Sequence, residues 1–208
     1  MKKFKKKNLS HSSKLWLTRQ LNDPLVNEAK KKNYRSRAVF KLIEINEKFK
    51  FLKNKLNILD LGAAPGSWSQ YSSKINKDGL NIALDLLDIE KIHNCRFIKG
   101  DFTNSSVQSD LMNLINDKKF DLVLSDIAEN STGNKSLDSI RSNLITIEVM
   151  NFCLKCLKKN GTMVIKTFSG SGSDEIVSFV KKHFSRYLFI KPLSSRKESK
   201  ELYLYSVL

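Results

Sequence analysis

The chain has 208 residues, of which 37 are Lys or Arg and 21 are Asp or Glu, a formal net charge of +16. Eight Gly, three Pro and three Cys exclude collagen-like, Pro/Gly-rich disordered and disulfide-scaffold proteins. No apolar run approaches the roughly 18 residues needed to span a bilayer. The length is enough to bury a full core, with one domain as the default expectation.

The charge is uneven. Residues 1–57 hold 17 Lys/Arg against 4 Asp/Glu, whereas the remainder holds 20 against 17. A nearly balanced body therefore carries a strongly basic N-terminal quarter, which raises the local concentration of a polyanion. The plainer alternative is a solubility tail. No apolar region follows MKKFKKKN, so a secretory signal is not expected, and a cytoplasmic protein is.

Residues 1–13 lack hydrophobic periodicity and are expected to be a mobile basic arm. One helical stretch is predicted from about Lys14 toward Ala29. Ala38, Leu42, Ile45 and Phe49 then mark one face of a second helix. From residue 56 strands and helices alternate. Strands are predicted over 56–62, 80–86, 95–101, 120–126 and 161–168, with helices over 67–75, 107–119, 137–159 and 173–184. Asn160-Gly161 reads as the stop of the long helix, and Ser173 as the N-cap of the helix after it. YLFIKP (187–192) and ELYLYSVL (201–208) complete seven strands. The alternation implies an α/β fold: a mostly parallel sheet covered on both faces, with an antiparallel C-terminal edge.

In such sheets ligands bind beyond the carboxyl ends of the strands. The turn after the first strand is Asp60-Leu61-Gly62-Ala63-Ala64-Pro65-Gly66-Ser67-Trp68. Its small residues are expected to admit a ligand to the backbone, and the helix start offers free N–H groups. The spacing is not G-x-G-x-x-G, which argues against a pyrophosphate. Asp85 ends the second strand and is placed for ribose hydroxyls. Gly100-Asp101 ends the third, where a carboxylate takes an adenine amino group. Each alone is more often a cap or turn former, but together they fit a nucleoside such as S-adenosylmethionine. Cys153 and Cys156 spell C-x-x-C within a helix; with only Cys95 besides, core packing is the better reading than zinc.

Four polar residues stand out from the fold. Asp126 ends the fourth strand, Lys166 interrupts MVIKTF, Lys41 breaks the apolar phase of its helix, and Glu201 opens the last strand. An unpaired charge in an apolar strand is costly, so Lys166 reads either as an ammonium at the strand's exposed end, satisfied by water, or as facing Asp126; Lys41 and Glu201 taken singly read as surface charges.

With these residues in view the chain resembles the RrmJ/FtsJ family of large-subunit ribosomal RNA 2′-O-ribose methyltransferases over almost its whole length. The matching stretches include SSKLWL (12–17), YRSRAVFKLIEI (34–45), DLGAAPGSWSQY (60–71), SDIAEN (125–130), VIKTFSGSG (164–172) and KPLSSRKESKELY (191–203). The resemblance implies a Rossmann-like class I methyltransferase fold, with residues 14–208 as one domain whose N-terminal region (14–55) is basic and helical. It implies a catalytic set of Lys41, Asp126, Lys166 and Glu201, with Lys166 as base. It assigns adenosylmethionine contacts to Gly66, Trp68, Asp85, Asp101 and Asp126, with no metal. It also implies 23S rRNA of the large ribosomal subunit as substrate, with a uridine ribose modified, and a monomer. The basic quarter, Arg35, Arg37, Arg196, Lys197 and Lys200 are expected to hold RNA phosphates. Two residues depart from the family pattern: Ser67 replaces Gly, and Glu129 replaces Pro in the segment after Asp126. Alternative readings are a tRNA or messenger-cap 2′-O-methyltransferase and a non-catalytic RNA-binding protein.

Overall fold

The computed structural model describes residues 11–116, 118–128 and 132–208. Most of the expected arm, together with Glu129 and Asn130, lies outside them. Helix α1 spans His11–Leu21, so it enters the last three residues expected to be arm. The single helix predicted toward Ala29 is two. Asp23 adopts an extended conformation and its carboxylate accepts from Leu25 N at 3.0 Å, starting α2 (Pro24–Lys31) with Pro at its first position. An Asp-Pro pair favours this restart because the proline needs no N–H partner there.

Helix α3 (Val39–Phe49) precedes the alternating part: β1 (Asn57–Leu61), α4 (Ser67–Ile75), β2 (Leu80–Asp85), β3 (Arg96–Lys99), α5 (Ser105–Leu114), β4 (Phe120–Ser125), α6 (Lys135–Cys156), β5 (Leu157–Phe168), α7 (Ser173–His183), β6 (Arg186–Ile190) and β7 (Glu201–Val207). All seven strands form one sheet in the order β3-β2-β1-β4-β5-β7-β6. The pairs among β1–β5 are parallel, and β7 runs antiparallel to both β5 and β6. Strand order reverses between β1 and β4, where doubly wound sheets bind ligands.

Several expected boundaries move, among them the end of α5, at Leu114 rather than 119. The long helix ends at Cys156, and Asn160-Gly161 lies inside β5. There the pairing jumps from Phe120–Leu157 to Leu122–Thr162, and Asn160 is left-handed at φ 63°. The same residue pair that stops helices also forms bulges. Cys153 and Cys156 thus occupy the last helical turn, buried in the main core. Gly172, not Ser173, caps α7, and Ser173 Oγ donates to Gly170 O instead.

The period-2 alternation of the strands sorts side chains to two cores. Leu59, Leu61, Val123, Met163 and Ile165 pack with α5, α6 and α7. Ile58, Leu122, Leu124, Val164, Tyr203 and Tyr205 pack with Leu42 and Ile45 of α3 and Trp68 of α4. Asp60, Asp126 and Lys166 continue the second set, so all three emerge on the side covered by α3 and α4. No helix among the described residues is long and apolar enough to cross a membrane.

Behind β5, the buried Asn143 of α6 donates to Phe168 O (3.0 Å) and Ser171 O (3.1 Å), and accepts from Phe168 N (2.9 Å) and Thr167 Oγ1 (3.1 Å). Its whole amide capacity fixes the chain leaving Lys166. Asn143→Ala is expected to lower the unfolding free energy by about 2–3 kcal/mol, read by chemical denaturation at unchanged m-value.

Candidate active site

The turn leaving β1 is shaped by two left-handed glycines, Gly62 (φ 68°) and Gly66 (φ 101°). From the sequence these small residues are expected to admit a ligand to the backbone; in the structure the direction a side chain would take at either is occupied. A Cβ on Gly62 would fall 2.1 Å from Ile127 Cγ1, and one on Gly66 would fall 2.6 Å from Arg35 Nη1. What the turn offers a ligand is the first-turn amides of α4, which have no intrahelical acceptor.

The expected nucleoside contacts gather at this edge. Asp85 accepts from Ala64 N at 2.7 Å and from Leu87 N at 2.8 Å, so it ties the turn to the end of β2. Gly100 N donates to Asp85 O at 2.9 Å, which brings Asp101 alongside. Asp101 is exposed and accepts from both N and Oγ1 of Thr103. These are the turn-forming roles such residues ordinarily play, and each carboxylate keeps lone pairs beyond them. The Trp68 indole is buried, donates to Ala38 O at 2.8 Å and packs on Tyr203. Only its backbone is left to meet a ligand.

The four residues singled out for chemistry meet as two ion pairs. Lys166 Nζ lies 2.8 Å from Asp126 Oδ1 and donates to Asp126 O at 2.7 Å. Lys41 Nζ lies 2.8 Å from Glu201 Oε1, with both side chains mostly buried. Sheet register explains the meeting, because Lys166 pairs with Tyr203 and Phe168 with Glu201 across β5 and β7. Glu201, Tyr203 and Lys166 therefore share the face on which α3 presents Lys41.

Tyr203 joins the two pairs and was not singled out from the sequence. Its hydroxyl donates to Asp126 Oδ1 at 2.5 Å, and Lys41 Nζ sits 5.4 Å from its ring centroid. The signal was present: Tyr203 lies two residues from Glu201 on a strand, hence on the same face. Burial, then the charges of Asp126 and Glu201, push its hydroxyl well above the usual tyrosine range, so it stays a donor. Asp126 is opposed most by burial, yet Lys166 and Lys41 hold its carboxyl below the usual range. It is a fixed carboxylate.

Asp60 behaves oppositely. It is buried beneath the turn, accepts from Ser69 Oγ at 2.5 Å, and its Oδ1 has no partner among the described residues. Burial, against the Ser69 bond and reinforced by Asp126 and Asp85, pushes it up to about 7.

Outside the ion pairs, a cleft of about 310 Å³ is lined by Arg19, Arg37, Ala38, Lys41, Arg196, Glu198, Ser199 and Glu201. Arg37 bonds Asp23 and Ser194 O, and Arg196 approaches the same Asp23 carboxylate at 3.8 Å. Arg35, expected with them, turns away and donates to Pro65 O and Lys91 O.

A doubly wound sheet with acidic strand ends beside a glycine turn, and a Lys-Asp-Lys-Glu cluster over its carboxyl edge, is the arrangement expected of a class I methyltransferase. The comparisons agree. The sequence profile described as FtsJ-like methyltransferase matches residues 34–207, and the chain belongs to that family. It is 45% identical to the ribosomal RNA large subunit methyltransferase E of Pelagibacter ubique over 192 residues, 92% of this chain and 94% of the relative. It is 42% identical to the protein of that name from Rickettsia akari over 213 residues, 100% of this chain and 92% of the relative. It also superposes on the crystal structure of a ribosomal RNA methyltransferase from Plasmodium falciparum, with TM-score 0.76 and 32% identity, covering 84% of this chain and 97% of that one.

Asp60 gives a pH test. Its folded-state value lies above that of the unfolded chain, so its contribution to stability is full at low pH and lost as pH rises to about 7. The depressed Asp126 contributes in the other sense, losing its effect only as pH falls below the carboxylate range. Asp60→Asn is therefore expected to raise Tm relative to wild type progressively from pH 5 to pH 8, read by thermal unfolding across that range.

Proposed function

We propose that the protein transfers a methyl group from S-adenosylmethionine to the 2′-hydroxyl of a uridine ribose in 23S rRNA of the large ribosomal subunit. Its family and the names of its relatives support the reaction class and the ribosomal substrate. The observation that carries the chemistry is the Lys166–Asp126 pair, 2.8 Å apart and joined through Tyr203 to Lys41–Glu201 at the carboxyl edge of the sheet. On the same reading the protein works in the cytoplasm as a monomer, with residues 14–208 as one methyltransferase domain.

The residues present fit the donor. Ribose hydroxyls and an adenine amino group are hydrogen-bond donors and a sulfonium is a cation, so the ligand calls for acceptors and negative charge. Asp85, Asp101 and Asp126 supply both at three neighbouring strand ends, and the Trp68 N–H at the start of α4 is a donor for the ligand's carboxylate; Gly66, whose own N–H donates to Ala63 O at 2.6 Å, forms the turn that presents it. When bound, adenosylmethionine supplies an activated methyl carbon. The protein must then align the acceptor hydroxyl and manage one proton.

Lys166 rests as an ammonium paired with Asp126; once that proton has gone to solvent, its amine takes the 2′-hydroxyl proton, and the ionised Asp126 beside it holds the ammonium formed again. Lys41, fixed by Glu201, orients the hydroxyl. The ring of Tyr203 lies under Lys41, and its hydroxyl keeps Asp126 in place. Arg19, Arg37 and Arg196 line the cleft on the substrate side, where contacts to phosphates position RNA without reading its sequence. Lys197 and Lys200 belong to the same loop as Arg196, and the five Lys among residues 1–10 add to the positive charge of the chain.

Labelled methyl transfer to large ribosomal subunits from a strain lacking the protein, followed by mapping of the methylated nucleotide, tests the assignment. Lys166→Ala should slow transfer by about 10²–10⁴-fold while calorimetry still detects donor binding. Deleting residues 1–10 should weaken RNA binding and flatten its dependence on salt, leaving the donor dissociation constant unchanged.

A further inference from the structure

We propose that Arg35 is a positioning residue for the methyl donor, a clamp that fixes the separation of the two loops flanking the donor rather than a contact to RNA. The inference rests on the adenosylmethionine reading above.

The two arms of its guanidinium reach different loops. Nη1 donates to Pro65 O at 3.0 Å, in the turn leaving β1. Nη2 donates to Lys91 O at 3.0 Å, in the connection from β2 to β3. These are the segments that follow Asp60 and Asp85, the two walls between which a nucleoside at this strand edge must lie. The side chain is only 17% exposed, so little of the cation faces outward, and Glu90 stands 4.0 Å from it.

The backbone around it is anchored separately. Arg35 N donates to Gln70 Oε1 at 3.3 Å, Gln70 Nε2 returns a bond to Asn33 O at 2.7 Å, and Ser36 Oγ meets Ser67 Oγ at 2.8 Å. Segment 33–36 is thus strapped to α4 whatever the residue at 35 carries, and the side chain is free to act on the loops alone. Gly66 fits the same design, since a Cβ there would strike Arg35 Nη1. The glycine is required partly because the clamp passes over it.

Arginine suits this task and lysine does not, because a planar fork can serve two carbonyls at fixed geometry while an ammonium is a single point charge. That difference separates the proposal from a phosphate contact, which Lys would largely preserve. Two residues on, Arg37 turns to Asp23 and Ser194 O. Neighbouring arginines thus serve opposite sides of one strap, the donor turn and the substrate cleft.

The test compares wild type, Arg35→Lys and Arg35→Ala by calorimetry with adenosylmethionine and adenosylhomocysteine. RNA-oligonucleotide affinity against salt, donor KM and kcat, and thermal unfolding are measured in parallel. Both variants should raise the donor dissociation constant and KM by about tenfold or more. At saturating donor kcat should stay within about twofold of wild type, and the RNA salt slope should not change. Wild-type donor binding in Arg35→Lys overturns the clamp, as does unchanged donor binding with a shallower RNA salt slope in Arg35→Ala. Loss of cooperative unfolding in both variants makes Arg35 a folding residue and also overturns it. A wild-type chain that binds no adenosylmethionine removes the donor reading itself, a result separable from all of these.

Discussion

The ion pair between Asp126 and Lys166 is the constraint around which the rest is arranged. Both groups continue apolar rows that run along β4 and β5 under α3 and α4, where an uncompensated charge is expensive. Once one is present the other is needed, and their remaining hydrogen-bonding capacity must be met. Tyr203 meets part of it from β7, while the Asp126 carbonyl takes a second bond from the ammonium. Lys41 and Glu201 repeat the solution one layer out. A cluster of this kind adds little net stability, yet breaking one pair leaves a buried charge alone. It holds a carboxylate ionised beside an ammonium at the carboxyl edge of the sheet.

Carboxyl groups near enough to feel one another's charge are given different characters by their surroundings. Asp126, between two ammonium groups, is held as an anion. Asp60 lies deeper, with a serine hydroxyl and no cation against it, and favours its proton. Asp85 and Asp101 sit nearer solvent and spend part of their capacity on backbone amides of their own turns. The edge therefore presents a graded set of carboxyl groups, from one that takes up its proton near neutrality beneath the glycine turn to open carboxylates at its rim.

Much of this was legible in the chain. The inner strands read as short apolar runs buried on both faces, and the register of β4 with β5 then places Asp126 and Lys166 on one face. The seven strands and the antiparallel edge follow from their spacing and from helices long enough for parallel crossovers. What escaped depends on contacts between distant segments. Tyr203 looked like one aromatic among several until its partner across β5 was known. Arg35 looked like Arg37, although one faces the glycine turn and the other the cleft. Gly62 and Gly66 read as small residues beside a ligand, and only the structure shows that Ile127 and Arg35 stand where their side chains would go. Local punctuation also misled where one signal has two uses: Asn160-Gly161 is a bulge within β5, and Asp23-Pro24 restarts a helix.

The insertion of β7 between β5 and β6 has a consequence for how the molecule comes into being. A chain emerging from the translating ribosome delivers β5 and β6 before the strand that belongs between them. Until then both have bare, unpaired margins open to sticking, and Lys41 and Lys166 are without Glu201 and Tyr203. Competence is thus gained in one late event, and a product cut short after β6 would be inert and prone to clump.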